Sequence, residues 1–129
     1  MLVTSIPQYI QGLTTAKVDL TNTNDTVLYT ARSDSDFNAS VVHSLLVSND
    51  SGSADTITVT LISGSDTFSV YKLEEVGALS TKELLTNDLI MQGGEVLKVQ
   101  AATGARLHVI ASIQELTKTR ITTSALTNI

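Results

Sequence analysis

Cysteine is absent from this chain of 129 residues, so it has neither a disulfide framework nor a thiolate zinc site. Tryptophan is absent too, and aromatics make up only 4%. That removes most of the flat platforms on which sugar-binding and nucleic-acid-binding surfaces stack their ligands. Charged residues are few at 16%, with a net charge of -5. An acidic surface is repelled by phosphate backbones, so no direct nucleic-acid partner is expected. No apolar run approaches the roughly 20 residues of a membrane helix, and no membrane association is expected. The opening Met1 to Pro7, which holds the only proline, shows no basic stretch followed by an apolar core. The expectation is therefore a chain without a secretory signal, synthesised in a cytoplasm.

What the chain does have is alternation. Asp55 to Leu61 sets Ile57, Val59 and Leu61 on one face and Thr56, Thr58 and Thr60 on the other. Arg106 to Ile113 repeats this, with Leu107, Val109, Ala111 and Ile113 inward. A side-chain period of two, apolar on one face and polar on the other, is that of a strand between a core and water. Threonine and serine make up roughly a quarter of the residues, and β-branched threonine suits the wet face of a sheet. At 42% apolar residues the composition is that of one globular domain.

Turn formers divide the rest. Strands are expected at 13–20, 27–30, 39–48, 55–62, 67–73, 95–101 and 105–116. Turns fall at 21–25, 33–38 and 49–53, and a hairpin at Ser63-Gly64-Ser65-Asp66 uses the positive φ that glycine allows. In 39–48, Val41, Leu45 and Val47 are placed on one side with His43, and Val42 and Leu46 on the other. A strand apolar on both sides is central in a sandwich, or covered by a neighbouring subunit. Residues 74–86 fit either a helical turn opened by Ser80 or a strand, and the all-β surroundings favour the strand. Residues 87–94 read as a connection ending in Gly93-Gly94. The fold class is all-β: an antiparallel β-sandwich of jelly-roll or Ig-like type, with about eight strands over 13–116. Its predicted core holds Ile57, Val59, Leu61, Leu97, Val99, Leu107, Val109 and Ile113. Residues 1–12 and 117–129 lack alternation and read as N- and C-terminal arms. They carry spaced apolar residues, Leu2, Ile6, Tyr9 and Ile10 in one and Ile121, Leu126 and Ile129 in the other.

The search for chemistry yields no catalytic, cofactor-binding or metal-binding residue. His43 and His108 lie inside strands and read as structural. Asp34-Ser35-Asp36-Phe37-Asn38 opens like a calcium loop, but Ala39 and Leu45 stand where an EF-hand needs its glycine and its bidentate glutamate. A polar turn is expected there. Glu74 and Glu75, adjacent on a strand, point to opposite faces and cannot act jointly. Asn24, Asn38 and Asn49 each open a glycosylation sequon, but with no secretory signal these read as turns. There is no Gly-x-Ser-x-Gly elbow and no phosphate loop. An enzyme is not expected.

Five segments carry a wider likeness: Val27 to Ala31, Val41 to Asn49 running into Ser51-Gly52-Ser53-Ala54-Asp55, Thr56 to Leu61, Asp88-Leu89, and Gly93 to Ala101 leading to the last strand. In these, from Val27 to Leu116, the chain resembles the small β-sandwich virion proteins of tailed bacteriophages. The resemblance implies a non-enzymatic structural component of a phage virion. A capsid decoration or cement protein stabilising the capsid lattice comes first, with a tail, neck or baseplate protein as the alternative. It also implies a homo-oligomer, with a trimer favoured, and the major capsid protein or other virion proteins as partners. The location would be the virion, after synthesis in the host cytoplasm. A carbohydrate-binding adhesion module is the reading from another class, and only Tyr9, Tyr29 and Tyr71 are available to stack on a sugar.

Overall fold

The computed structural model describes residues 11–117. Nine strands follow in order: β1 (Gln11–Leu20), β2 (Thr26–Thr30), β3 (Phe37–Asn49), β4 (Asp55–Ser63), β5 (Asp66–Val76), β6 (Ser80–Glu83), β7 (Leu89–Gln92), β8 (Val96–Ala101) and β9 (Leu107–Thr117). All of their pairings are antiparallel. One sheet has the order β1-β9-β3-β6, with β7 also on β3, and the other β2-β8-β4-β5.

The pairs nest. β1 pairs with β9, β2 with β8, β3 with β6 and β7, and β4 with β5. With β6 and β7 counted as one interrupted strand, this is an eight-stranded hairpin rolled into two facing sheets, the jelly roll rather than the Ig topology. The β4–β5 turn at its tip is Gly64-Ser65, where Gly64 has φ 62°. At the opposite end of the sandwich Gly104 approaches the backbone so closely that a Cβ would lie 2.7 Å from the Thr21 carbonyl oxygen.

Inward faces meet as the alternation requires. Ile57, Val59, Leu97, Val99, Leu107, Val109, Ala111 and Ile113 are all buried, and Leu61 is half-buried against them. Thr58, Thr60 and His108 lie on the opposite faces of their strands, with intermediate exposure. Leu20, Val42, Leu45, Val47, Val76 and Met91 complete the core.

Two departures from the sequence reading have local causes. In β3 the pairing with β9 shifts between Val42 and Ser44. This bulge at His43 moves the phase by one residue. Val42, Leu45 and Val47 therefore share the core, while Val41, His43 and Leu46 face outward. Residues 89–92, expected as part of a connection, form β7, with Met91 buried and Ile90 exposed. Turn formers on both sides hid a four-residue strand. Residues 80–83 are a strand, as the all-β surroundings favoured, and the helical alternative does not form. The described strands also begin at Gln11 and end at Thr117, slightly inside the spans read as arms. The remainder of both spans lies outside the described residues.

The edge strand beside β3 is broken, and Glu83 fills the break. Its carboxylate accepts the Leu45 N–H at 2.7 Å, the Leu85 N–H at 3.2 Å and the Ser44 hydroxyl. Partial burial is the largest effect on this carboxyl and works against its charge, but the hydrogen bonds from Ser44, Leu45, Leu85 and Leu84 together hold it below the usual range. A lowered folded-state pKa gives stability that is present above the ordinary carboxylate range and lost as pH falls through the lowered value. Glu83→Gln is expected to cost about 1 kcal/mol at neutral pH, discounted for exposure. The deficit should shrink on acidification, as followed by urea melts at several pH values. Leu97→Ala in the core is expected to cost about 2–5 kcal/mol by the same measurement, and Thr60→Ala on the outer face less than about 1 kcal/mol.

Candidate functional site

The acidic and asparagine side chains singled out in the sequence fall into several separate clusters, most of them occupied with holding turns and strand ends. Asp34 accepts the N–H groups of Asp36 and Phe37, both at 2.8 Å, and pairs with Arg32 at 2.8 Å. Those bonds, from Phe37 and Asp36 first, pull its carboxyl below the usual range. The segment is thus an Asx-type turn. Arg32 also stacks 3.8 Å over the Phe37 ring and lies 3.6 Å from Glu115. Glu115 is nearly buried at the end of β9 and accepts the Tyr29 hydroxyl at 2.7 Å, while Tyr29 and Ser40 share a hydrogen bond of 2.8 Å. Tyr29 belongs to one sheet, Ser40 and Glu115 to the other, so the cluster ties the two together. Burial, foremost, and Glu115 push the Tyr29 hydroxyl up in pKa, against the Ser40 bond.

At the other end Asn49 and Asp55 organise the loops. The Asn49 amide donates to the carbonyls of Ser53 and Val76 and its oxygen accepts the Ser51 N–H. This sequon asparagine is 1% exposed, which leaves no room for a glycan. Asp55 accepts the N–H groups of Thr56 and Thr103. Glu74 pairs with Lys82 at 2.6 Å, while Glu75 lies opposite Thr56 of β4 in the strand register.

Both histidines lie on the outer face of the β1-β9-β3 sheet, and each has carboxylate neighbours that sequence separation concealed. His108 sits 3.5 Å from Asp19 and 3.3 Å from Asp50. His43, on the bulge, contacts Gln114 at 2.8 Å through Nε2 and Asp88 at 3.2 Å through Nδ1. Among the described residues no three metal-ligating side chains converge.

That same outer face carries what the interior does not use. Leu13, Leu46, Ile90 and Ile110 are 82%, 36%, 62% and 40% exposed, and all four project from it. A shallow depression of about 450 Å³ beside them is lined by Leu13, Thr15, His43 and Ser112 among others. The opposite sheet presents Thr56, Thr58, Thr60, Lys98 and Gln100 outward. Val27 and Leu73 are also exposed on that side, at 51% and 57%, among its threonines and Lys98. The two sides of the sandwich therefore differ: one mostly polar with isolated apolar residues, one with an apolar stripe.

No family model matches the chain, and neither does any curated protein. Solved structures do resemble it in fold. A chain in the structure of infectious bursal disease virus, Gx strain, superposes with a TM-score of 0.50 at 10% identity, over 88% of this chain and 32% of that one. The corresponding Gt-strain structure gives 0.48 at 13% identity, covering 88% and 33%. A structure of Bacillus endospore appendages, described as disulfide-linked pili, gives 0.48 at 12% identity, covering 87% and 91%. This chain spans about a third of the length of the viral chains it resembles. At such identities the likeness is one of fold alone; that to the Gx-strain chain agrees with the all-β sandwich read from the pairing.

Two measurements check these clusters. The Gln114 bond, first, and then Asp88 raise His43 above its ordinary value of 6.5, against slight desolvation. Its contribution to stability is then complete below the unfolded-state pKa and lost as pH rises through the raised one. The His43 ring protons should titrate by NMR with a midpoint above 6.5 that moves down in Asp88→Asn. Tyr29→Phe strips a partner from Ser40 and Glu115 and should cost about 1–3 kcal/mol in chemical denaturation.

Proposed function

We infer that the protein is a non-enzymatic structural subunit of a virion, acting as a decoration or cement protein on a capsid lattice. The observation that carries this reading is the division of labour in the sandwich. Its interior is packed with aliphatic side chains, its polar clusters are spent on turns and strand ends, and an apolar stripe is left on one outer face. A fold whose polar groups serve its own loops has its capacity for work on its surface. The jelly-roll topology and the resemblance to phage sandwich proteins supply the kind of assembly. In this reading residues 1–10 and 118–129 grip neighbouring subunits or the capsid surface, through spaced apolar side chains and backbone pairing at a sheet edge. The chains self-associate, as a trimer, and the partner is the major capsid protein. A subunit of the tail, neck or baseplate is the second position in the same kind of particle.

The test is location. Antibody against this protein should label the shell of density-banded particles, and the protein should be found in the particle fraction. Recovery only among soluble proteins would overturn the reading, and labelling confined to the tail would move it to the second position. Removing residues 1–10 and 118–129 should leave the thermal transition within a few degrees of the full chain while abolishing retention on particles.

A further inference from the structure

The cross-strand register of the β1-β9-β3-β6/β7 sheet places its outward side chains in rows. One row reads Lys17, Ile110, Leu46, Glu83 from the β1 edge to the opposite edge. Another reads Leu13, Gln114, Val41, Ile90. A third is Asp19, His108, Ser48, Thr81. In the first row a cation stands at one edge, an anion at the other, and two exposed aliphatic residues between them. In the second an exposed aliphatic residue occupies each edge. Lys17 makes no ion pair among the described residues.

Such rows are self-complementary under one operation. A twofold axis lying between two facing sheets and running along the strands exchanges the edges, so β1 of one copy lies over β6 and β7 of the other. Lys17 then lies over the partner's Glu83 twice over by symmetry, next to a carboxylate that is already hydrogen-bonded within its own sheet to Ser44, Leu45 and Leu85; Ile110 meets the partner's Leu46, and Leu13 meets the partner's Ile90. An axis across the strands would set β1 against β1; where it brings Lys17 over the partner's Asp19, it puts Ile110 and Leu46 over the partner's His108 and Ser48 and leaves the apolar residues without apolar partners. We propose that this face pairs with the same face of a second copy of the chain about a twofold axis parallel to the strands. Aligned face-to-face sheets about 10 Å apart are an ordinary packing, and isologous contacts are the commonest in homo-oligomers.

The proposal rests on the structural-subunit reading and names the partner of its exposed stripe. It has a geometric consequence. Gln11 and Thr117 lie side by side at one end of the sheet. An axis along the strands keeps the ends of both copies on the same side. The pair therefore presents four of these strand ends in one direction. A pairwise contact of this kind coexists with any ring the remaining surfaces close, so its readout is a pairwise link rather than total mass.

Because the chain has no cysteine, introduced thiols report the geometry cleanly. Leu13→Cys and Ile90→Cys sit at opposite edges, three strand spacings or about 14 Å apart, beyond the reach of a disulfide within one chain. Mixing the two single variants under mild oxidation should give a covalent heterodimer, with neither variant linking to itself. Efficient Leu13→Cys homodimers, or no link in the mixture, would overturn the proposal. As a non-covalent check, Lys17→Glu and Leu13→Asp, both exposed, should weaken self-association at least tenfold in sedimentation with unchanged circular dichroism. Unchanged self-association in both would count against it. So would pairing through this face that emerges only after deletion of residues 118–129, since the chain's own tail would then be its occupant. Absence of the protein from particles, with the cross-link present, would instead overturn the function and leave the pairing standing.

Discussion

β9 runs through the middle of its sheet, bonded to β1 on one side and β3 on the other along nearly its whole length. The rest of the molecule depends on that double pairing. It joins residues between 58 and 105 positions apart, closes the nested hairpin, and fixes the register that sends Leu107, Val109, Ala111 and Ile113 inward. A slip of one residue would turn those four to solvent and bring His108, Ile110, Ser112 and Gln114 into the core, a change no sandwich of this size could absorb. The same register decides the exterior. It sets Lys17 opposite Ile110 and Ile110 opposite Leu46, so the apolar stripe and its flanking charges follow directly from the core.

The polar groups are arranged around the places where pairing stops. Glu83 stands in for a missing edge strand between β6 and β7. Tyr71 reaches across from β5 to donate to the Leu84 carbonyl just beyond β6. Asn49 and Asp55 tie the loops at one end, and Tyr29, Ser40 and Glu115 bridge the sheets at the other. Each satisfies backbone or buried donors and acceptors that would otherwise be costly to leave unpaired. This explains why carboxylates and histidines that look suggestive one at a time assemble into no reactive constellation in the described residues.

Much of this was legible in the sequence because alternation over β4, β8 and β9 is nearly uninterrupted. Ile57, Val59, Leu97, Val99, Leu107, Val109 and Ile113 could be placed in the core from period alone. The reading failed where one extra residue breaks the period, at the His43 bulge, since nothing in Val41-Val42-His43-Ser44 marks which residue bulges. It missed β7 because four residues between Asn-Asp and Gly-Gly give too short a pattern. The choice of jelly roll over Ig-like sandwich was beyond the sequence, as it depends on which strands pair across long separations. For the same reason the contacts of His43 with Asp88 and of His108 with Asp19 and Asp50 could not be read off. The two-sided apolar character of β3 was legible and fits its central place between β9 and β6/β7, though the bulge reassigned which residues form each face.

The central claim is that the interior is closed and the outer face of the β1-β9-β3-β6/β7 sheet is where the protein meets another chain. The most direct measurement is methyl NMR of the full chain across a concentration series. The account predicts concentration-dependent shifts for the methyl groups of Leu13, Leu46, Ile90 and Ile110, with Ile57 and Leu97 in the core unmoved. Shifts confined instead to the threonine-rich face of β4 and β8, with those four residues unaffected, would contradict it.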